Sequence, residues 1–292
     1  MHLKALRKLG INIEEESGFI KCKCDEIVGN EIHLDFPSVG ATENVILASV
    51  FAKGETILTN AAMEPEIQDL QNFLNKMGAK IEGAGTNLIK ITGVKKLKEV
   101  SYNIMPDRIE AGTFLCMAAA TSGKIELKNV NAIHITPVIN KLEECGCKIN
   151  INNDTIALEG PKRLKAVDIK TMPYPGFPTD MQSVFTSMLT TAKGTSVIVE
   201  NIFENRYKYT NELKRMGAKI NIEGKIAIVK GVRKLSHAKV EATDLRGGAA
   251  LVLAALTAKG KTKVSNIEYI LRGYEKLDKK LNKLGAKIEI IK

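Results

Sequence analysis

A helix-ending phrase returns five times along the chain, as Leu9-Gly10-Ile11-Asn12-Ile13, Met77-Gly78-Ala79-Lys80-Ile81, Cys145-Gly146-Cys147-Lys148-Ile149, Met216-Gly217-Ala218-Lys219-Ile220 and Leu284-Gly285-Ala286-Lys287-Ile288. Its glycines stand 68, 68, 71 and 68 residues apart. A period of that length makes the chain a series of copies of one supersecondary unit, which narrows the possible folds more than composition does. Glycine enters the left-handed region without the Cβ penalty, so each copy is expected to stop a helix there and turn into a strand. Alternation begins at once, as in Ala218-Lys219-Ile220-Asn221-Ile222. The chain then turns at Glu223-Gly224 and returns as Lys225-Ile226-Ala227-Ile228-Val229, the pattern of a hairpin.

Reading backwards from the stop glycines supplies the rest of the unit. Residues 65–77 place Ile67, Leu70, Phe73, Leu74 and Met77 at helical spacing. Before that helix comes a strand opened by glycine and closed by asparagine, over residues 54–60, 123–129, 194–201 and 260–266. Before the strand comes an Ala-rich helix that starts at a polar junction, Ser38, Asp107, Asp180 or Asp244, with one more strand leading in. The expected fold is α/β, with four full βαβαββ units and a partial one over about residues 1–30. Units of this size do not each bury a core, so they should pack on one another with the Ala-rich helices inside.

The junction at Asp180 is the most defined. Pro173, Pro175 and Pro178 restrict the approach, and the helix-compatible run Met181 to Leu189 follows, which puts Asp180 at a helix start. Aspartate there ordinarily caps the helix by accepting a backbone N–H bond. The alternative is chemical. The other junctions carry Asp107-Arg108, Asp244-Leu245-Arg246 and Ser38-Val39-Gly40, so charged groups gather at equivalent helix ends, where anions are attracted. If the four ends converge, they form a crevice for anionic reactants.

Length and composition bound the setting. At 292 residues and 44% hydrophobic content the chain suffices for two cores and suggests two domains. The longest nearly unbroken apolar run, residues 249–258, is half of the roughly 20 residues a membrane span needs. The amphipathic N-terminus leads straight to Gly10 without a signal-peptide pattern, so a soluble cytoplasmic protein with no membrane contact is expected. Five cysteines, an odd number, fit a reducing compartment. The pairs Cys22/Cys24 and Cys145/Cys147 lack the further cysteine or histidine partners of a zinc site, so buried thiols and no metal are expected. The net charge of +10 favours anions. With lysines scattered and only 5% aromatic residues, the partners expected are small anionic molecules and not nucleic acid.

Six phrases, in order, carry a resemblance. They are Asp35-Phe36-Pro37-Ser38-Val39-Gly40-Ala41-Thr42-Glu43-Asn44, Glu64-Pro65-Glu66-Ile67, Pro106-Asp107-Arg108-Ile109-Glu110-Ala111-Gly112-Thr113, Phe177-Pro178-Thr179-Asp180-Met181-Gln182, Phe203-Glu204-Asn205-Arg206 and Arg272-Gly273-Tyr274-Glu275. In these the whole chain resembles the UDP-N-acetylglucosamine 1-carboxyvinyltransferases, the enolpyruvyl transferases of early peptidoglycan synthesis. A sister family, the 5-enolpyruvylshikimate-3-phosphate synthases, shares the fold, but the Pro-Ser-Val-Gly-Ala-Thr and Phe-Glu-Asn-Arg phrases point to the nucleotide sugar.

The resemblance implies a transferase that moves the enolpyruvyl group of phosphoenolpyruvate to the 3′-hydroxyl of UDP-N-acetylglucosamine and releases phosphate, with no cofactor. It implies an inside-out α/β barrel of six units, of which this chain holds about four and a half. Residues 1–104 would be a remnant of the first, catalytic-loop domain, and residues 105–292 a second domain of three units lacking strands normally given by the N-terminus. Asp180 matches the base that faces the attacking hydroxyl. Ser38, Val39 and Gly40, together with Ile202 and Arg108, match positions at the nucleotide sugar, and Arg206, Arg246 and Arg272 match arginines at phosphate or phosphoenolpyruvate. Glu64, Glu66, Asp107 and Asp244 match positions lining the cleft or its hinge. The family pattern also has an upstream segment with a lysine-asparagine pair and a cysteine loop, which this chain does not contain. The corresponding expectation is little or no turnover by the chain alone. A competing reading is an inactive remnant that binds a nucleotide sugar or pairs with a separate N-terminal half.

Overall fold

In the computed structural model, which describes residues 1–291, all five stop glycines are left-handed. Gly10, Gly78, Gly146, Gly217 and Gly285 have φ values of 87°, 106°, 100°, 91° and 97°. After the first four comes an antiparallel hairpin: Asn12–Glu16 with Phe19–Lys23, Lys80–Glu82 with Leu88–Thr92, Lys148–Asn152 with Thr155–Glu159, and Lys219–Glu223 with Ile226–Lys230. The expected register holds in the last of these, where Ile220 faces Val229 and Ile222 faces Ala227.

The chain divides into two compact units, Met1–Met105 with Pro173–Pro175, and Pro106–Met172 with everything described from Gly176 onward. In the first, a four-stranded sheet runs in the order Glu31–His33, Glu55–Thr59, Leu88–Thr92, Lys80–Glu82. The lead-in strand is parallel to its neighbour and the other pairs are antiparallel. Helices Val39–Ser49 and Pro65–Met77 supply Val45, Ile46, Ile67 and Leu74 to a core shared with Ile32, Leu58, Ile89 and Ile91.

The second unit repeats that sheet as Ile169–Lys170, Thr195–Val199, Ile226–Lys230, Lys219–Glu223. It adds a three-stranded sheet of Lys124–Leu127, Thr155–Glu159 and Lys148–Asn152, and a parallel pair, Lys239–Glu241 with Lys263–Ser265. The helices Arg108–Ala120, Thr179–Leu189 and Leu245–Thr257 pack on one another inside, as their apolar residues on every side require. Leu115, Val184, Phe185, Met188, Leu251 and Ala254 join one core. Ser187 Oγ donates to the Ala250 carbonyl at 2.7 Å across the last two helices. Phe177 meets Phe185 edge-on at 5.3 Å. The α/β repeat is thus as expected, although among the described residues no sheet closes into a barrel.

Three expectations need correction. No strand leads into Arg108–Ala120, because residues 99–105 are drawn onto the Pro65–Met77 helix: Tyr102 stacks at 5.4 Å from Phe73 and donates to Asp69 Oδ1 at 2.8 Å. In the fourth unit Asn282 holds the Ile288 backbone at 2.7 and 2.9 Å just as Asn75 holds Ile81, yet no strand is formed among the described residues after Gly285. Cys22 and Cys24 are exposed because their hairpin packs only one residue, Ile13, into the interior, whereas Cys116, Cys145 and Cys147 are buried. Among the described residues no helix is long and apolar enough to cross a membrane.

A second glycine position recurs where each full hairpin meets the end of an Ala-rich helix. A Cβ on Gly93 would lie 1.6 Å from the Ala52 carbonyl oxygen, and one on Gly231 1.8 Å from that of Ala192. The obstacle is backbone, which does not rotate away. Gly231→Ala should therefore destabilise the second unit by about 3 kcal/mol, at the upper end of ordinary overpacking costs, as measured by urea unfolding.

Candidate functional site

Asp180 is the second residue of the Thr179–Leu189 helix, whose N-cap is Pro178. Its carboxylate does not cap that helix, which corrects the bland expectation for this residue. Oδ1 accepts from Arg206 at 2.7 Å and Oδ2 from Arg246 at 3.2 Å. Capping does occur at the other two aspartates: Asp107 accepts from the Ile109 and Glu110 N–H groups at 2.8 and 2.9 Å, and Asp244 from those of Arg246 and Gly247 at 3.0 and 2.8 Å.

Both arginines are held from behind. Arg206 follows the strand Thr195–Val199, lies over the Phe203 ring at 4.8 Å and donates to the Thr179 carbonyl at 3.3 Å. Arg246 opens the Leu245–Thr257 helix; it donates to the Tyr274 hydroxyl at 3.4 Å and stands 5.8 Å from that ring. Tyr274 is fully buried, and its hydroxyl shares a 2.9 Å hydrogen bond with Thr113 Oγ1 of the Arg108–Ala120 helix. One polar chain, Thr113, Tyr274, Arg246, Asp180, Arg206, therefore ties the opening turns of two helices to the second turn of a third.

The electrostatics follow from that packing. Burial opposes ionisation of Asp180, but the guanidinium groups of Arg246 and Arg206 outweigh it and hold the carboxyl below the usual carboxylate range. Burial likewise opposes the charge on Arg246, and Asp180 and Tyr274 more than restore it. Burial pushes the Tyr274 hydroxyl up, so it stays neutral and able to donate. The arginine side chains are 13% and 16% exposed and Asp180 is 40% exposed, so a reactant in solvent reaches the carboxylate first. The site can grip an oxyanion with two guanidiniums and offer one carboxylate to a proton.

The remaining expected residues lie on other elements. Ser38 caps Val39–Ser49, its Oγ accepting from Ala41 N–H at 3.3 Å, and Val39 and Gly40 open that helix beside His2, whose ring bonds Asn44 at 2.8 Å. Glu64 and Glu66 flank Pro65 at the start of Pro65–Met77. They lie close enough to Glu43 to add to the burial that raises its pKa. Arg108 is buried at the first position of its helix. Ile202 is half-buried and donates its N–H to Glu200 at 2.8 Å. Arg272 is exposed beyond the short helix Glu268–Leu271 and makes no ion pair among the described residues. The structure therefore brings together Asp180, Arg206, Arg246 and, through its cap, Asp244.

Sequence reasoning overlooked Tyr274, Thr113 and Glu200. The first two stand inside the phrases already noted, and the signal for Glu200 was a lone carboxylate ending the apolar run Val197-Ile198-Val199. Among the described residues no group of histidine, cysteine, aspartate and glutamate side chains could hold a metal ion.

A family model described as EPSP synthase (3-phosphoshikimate 1-carboxyvinyltransferase) matches residues 1–281. The chain is 57% identical over 289 residues to UDP-N-acetylglucosamine 1-carboxyvinyltransferase 2 of Caldanaerobacter subterraneus subsp. tengcongensis, covering 99% of this chain and 69% of that one. It is 55% identical over 289 residues to UDP-N-acetylglucosamine 1-carboxyvinyltransferase 1 of Carboxydothermus hydrogenoformans, with the same coverage. Among solved structures it is similar to the enolpyruvyl transferase NikO from Streptomyces tendae, with a TM-score of 0.89, 25% identity, and 99% and 72% of the two chains covered. The fold also matches EPSP synthase from Acinetobacter baumannii, with a TM-score of 0.76 at 21% identity over 99% of this chain and 71% of that one.

Two outcomes follow from the geometry. Because the folded-state carboxyl of Asp180 titrates below its unfolded value of about 3.9, its pairing adds stability that is complete above that value and lost as pH falls through the lowered one. The stability of the parent chain relative to Asp180→Asn should therefore hold near neutral pH and fall as the pH drops below about 5 in urea titrations. Burial pushes the Cys145 thiol up to about 12, Cys147 to about 11, and Cys116 well above its usual value. Iodoacetamide on the folded chain should label Cys22 and Cys24 and spare the other three, as read by peptide mass spectrometry.

Proposed function

The chain belongs to the EPSP synthase family of 1-carboxyvinyltransferases, and from that premise we propose that it transfers the enolpyruvyl group of phosphoenolpyruvate to the 3′-hydroxyl of UDP-N-acetylglucosamine, releasing phosphate in peptidoglycan synthesis. The observation that carries this reading is a solvent-reachable carboxylate gripped by two guanidiniums that are fixed from behind. Both reactants are anions, and a guanidinium fork accepts a phosphate or carboxylate through paired hydrogen bonds.

Asp180 acts as general base in this reading. While paired with both arginines it is a weak base, because its negative charge is already compensated. When substrate oxyanions draw Arg206 and Arg246 towards themselves, that compensation falls and the carboxylate becomes able to take the hydroxyl proton. The sugar oxygen then bonds to the enol carbon of phosphoenolpyruvate while a proton is added at the methylene carbon. Loss of that proton and of phosphate from the tetrahedral adduct restores the double bond. The acid at the methylene carbon is assigned to no residue of this cluster.

The other positions take the roles that the family resemblance implies. Ser38, Val39, Gly40, Ile202 and Arg108 would contact the nucleotide sugar, and Arg272, being exposed, would reach phosphoenolpyruvate. Glu64 and Glu66 would shape the approach. Asp107 and Asp244 act through the helix starts they cap, Asp244 thereby setting Arg246. In this reading the activity is cytoplasmic.

The test is phosphate release on mixing the chain with both reactants, together with mass-spectrometric detection of the enolpyruvyl sugar nucleotide. Asp180→Asn should lower kcat by about 100-fold or more, the scale of a lost general base, with UDP-N-acetylglucosamine affinity little changed. Binding of the sugar nucleotide without any phosphate release would instead make the chain a sugar-nucleotide binder. Release dependent on shikimate 3-phosphate would assign it to the sister reaction.

A further inference from the structure

Glu200 is 1% exposed, yet among the described residues no basic side chain pairs with it. A buried carboxylate is costly unless its oxygens are satisfied, and here four donors converge on it. Oε1 accepts from Thr171 Oγ1 at 2.8 Å and from the backbone N–H groups of Ile202 and Phe203 at 2.8 and 3.1 Å. Oε2 accepts from Thr179 Oγ1 at 3.0 Å. These donors sit on three separate segments: the end of the lead-in strand, the residue immediately before Asp180, and the bend whose Phe203 ring carries Arg206. Thr179 is in addition the residue whose carbonyl accepts from Arg206.

We propose that Glu200 is a positioning residue for the transfer reaction, fixing the start of the Asp180 helix and the Arg206 bend at one separation so that carboxylate and guanidinium meet in register. The role rests on the reading of Asp180 as general base, but the geometry can be tested without it. Glu200 itself touches no substrate. A valine or leucine would fill the end of this strand at lower desolvation cost, whereas a carboxylate alone accepts from both sides of the gap at once. A displacement of even about 1 Å between the two groups is enough to cost on the order of 100-fold in rate.

Two variants separate positioning from bulk stability. Thr179→Val removes the one donor on Oε2 at nearly constant volume. Glu200→Gln keeps an acceptor for the backbone amides but removes the charge. The first readout is the titration of the Asp180 carboxyl, followed by carbon-13 NMR on the whole chain without substrate. In both variants it should move up towards the ordinary aspartate value of about 3.9 as the Arg206 contact loosens. The second is kinetic: kcat should fall about 10- to 100-fold with the KM for UDP-N-acetylglucosamine within about threefold. If Glu200→Gln does not fold, Thr179→Val carries the test. An Asp180 titration that stays at the parent value in every folded variant overturns the proposal, even where melting temperature drops. If the titration moves but the parent chain shows no transfer with either UDP-N-acetylglucosamine or shikimate 3-phosphate, the positioning stands and the enzymatic reading falls.

Discussion

A carboxylate with a cation on each oxygen governs how the second unit is built. Charge-assisted hydrogen bonds are about twice as strong as neutral ones, so two guanidiniums outcompete the backbone N–H groups that an aspartate in a first helical turn would otherwise accept. Asp180 turns outward to Arg206 and Arg246, and Pro178 takes the capping position with no side-chain bond to offer. At Asp107 and Asp244 the carboxylate accepts backbone N–H groups, and the usual cap forms.

The arginines stay where they are because of what stands behind them. Placing a guanidinium at 16% exposure removes much of its hydration, and for Arg246 the loss is offset by Asp180 on one side and by the face and hydroxyl of Tyr274 on the other. The Tyr274 hydroxyl is oriented in turn by Thr113, in the second turn of a neighbouring helix. Coulombic interactions are stronger in such surroundings than in water. The same pairing therefore creates a strong preference for any reactant able to replace one charge with another.

Much of this was legible in the chain. The left-handed glycines, the Pro65–Met77 helix and the 219–230 hairpin are local, since each is decided by residues within one turn or one strand pair. What escaped was non-local. Nothing near residues 99–105 announces that Tyr102 will leave its sheet position for Asp69 and Phe73. The four donors around Glu200 come from positions 171, 179, 202 and 203, which adjoin only after the strands pair. Asp180 was recognised as a site residue from its phrase and Arg246 from its junction, but not that they hold each other.

That last contact has a simple origin once the repeats are superimposed on the observed helix starts instead of on their aspartates. The caps are then Ser38, Asp107, Pro178 and Asp244, and the second helical residues are Gly40, Ile109, Asp180 and Arg246. Asp180 is equivalent to Arg246, not to Asp244. Two copies of one position, brought side by side where their helices pack, carry opposite charges and form an ion pair across the pseudo-symmetric contact. The related Ile109 is buried and Gly40 has no side chain, so the other copies of this position add no charge there. The overall charge of +10 is spread over exposed lysines, whose pairs contribute little. The field that matters at Asp180 comes from two arginines, one supplied by the repeat itself and one by the bend that follows the next strand.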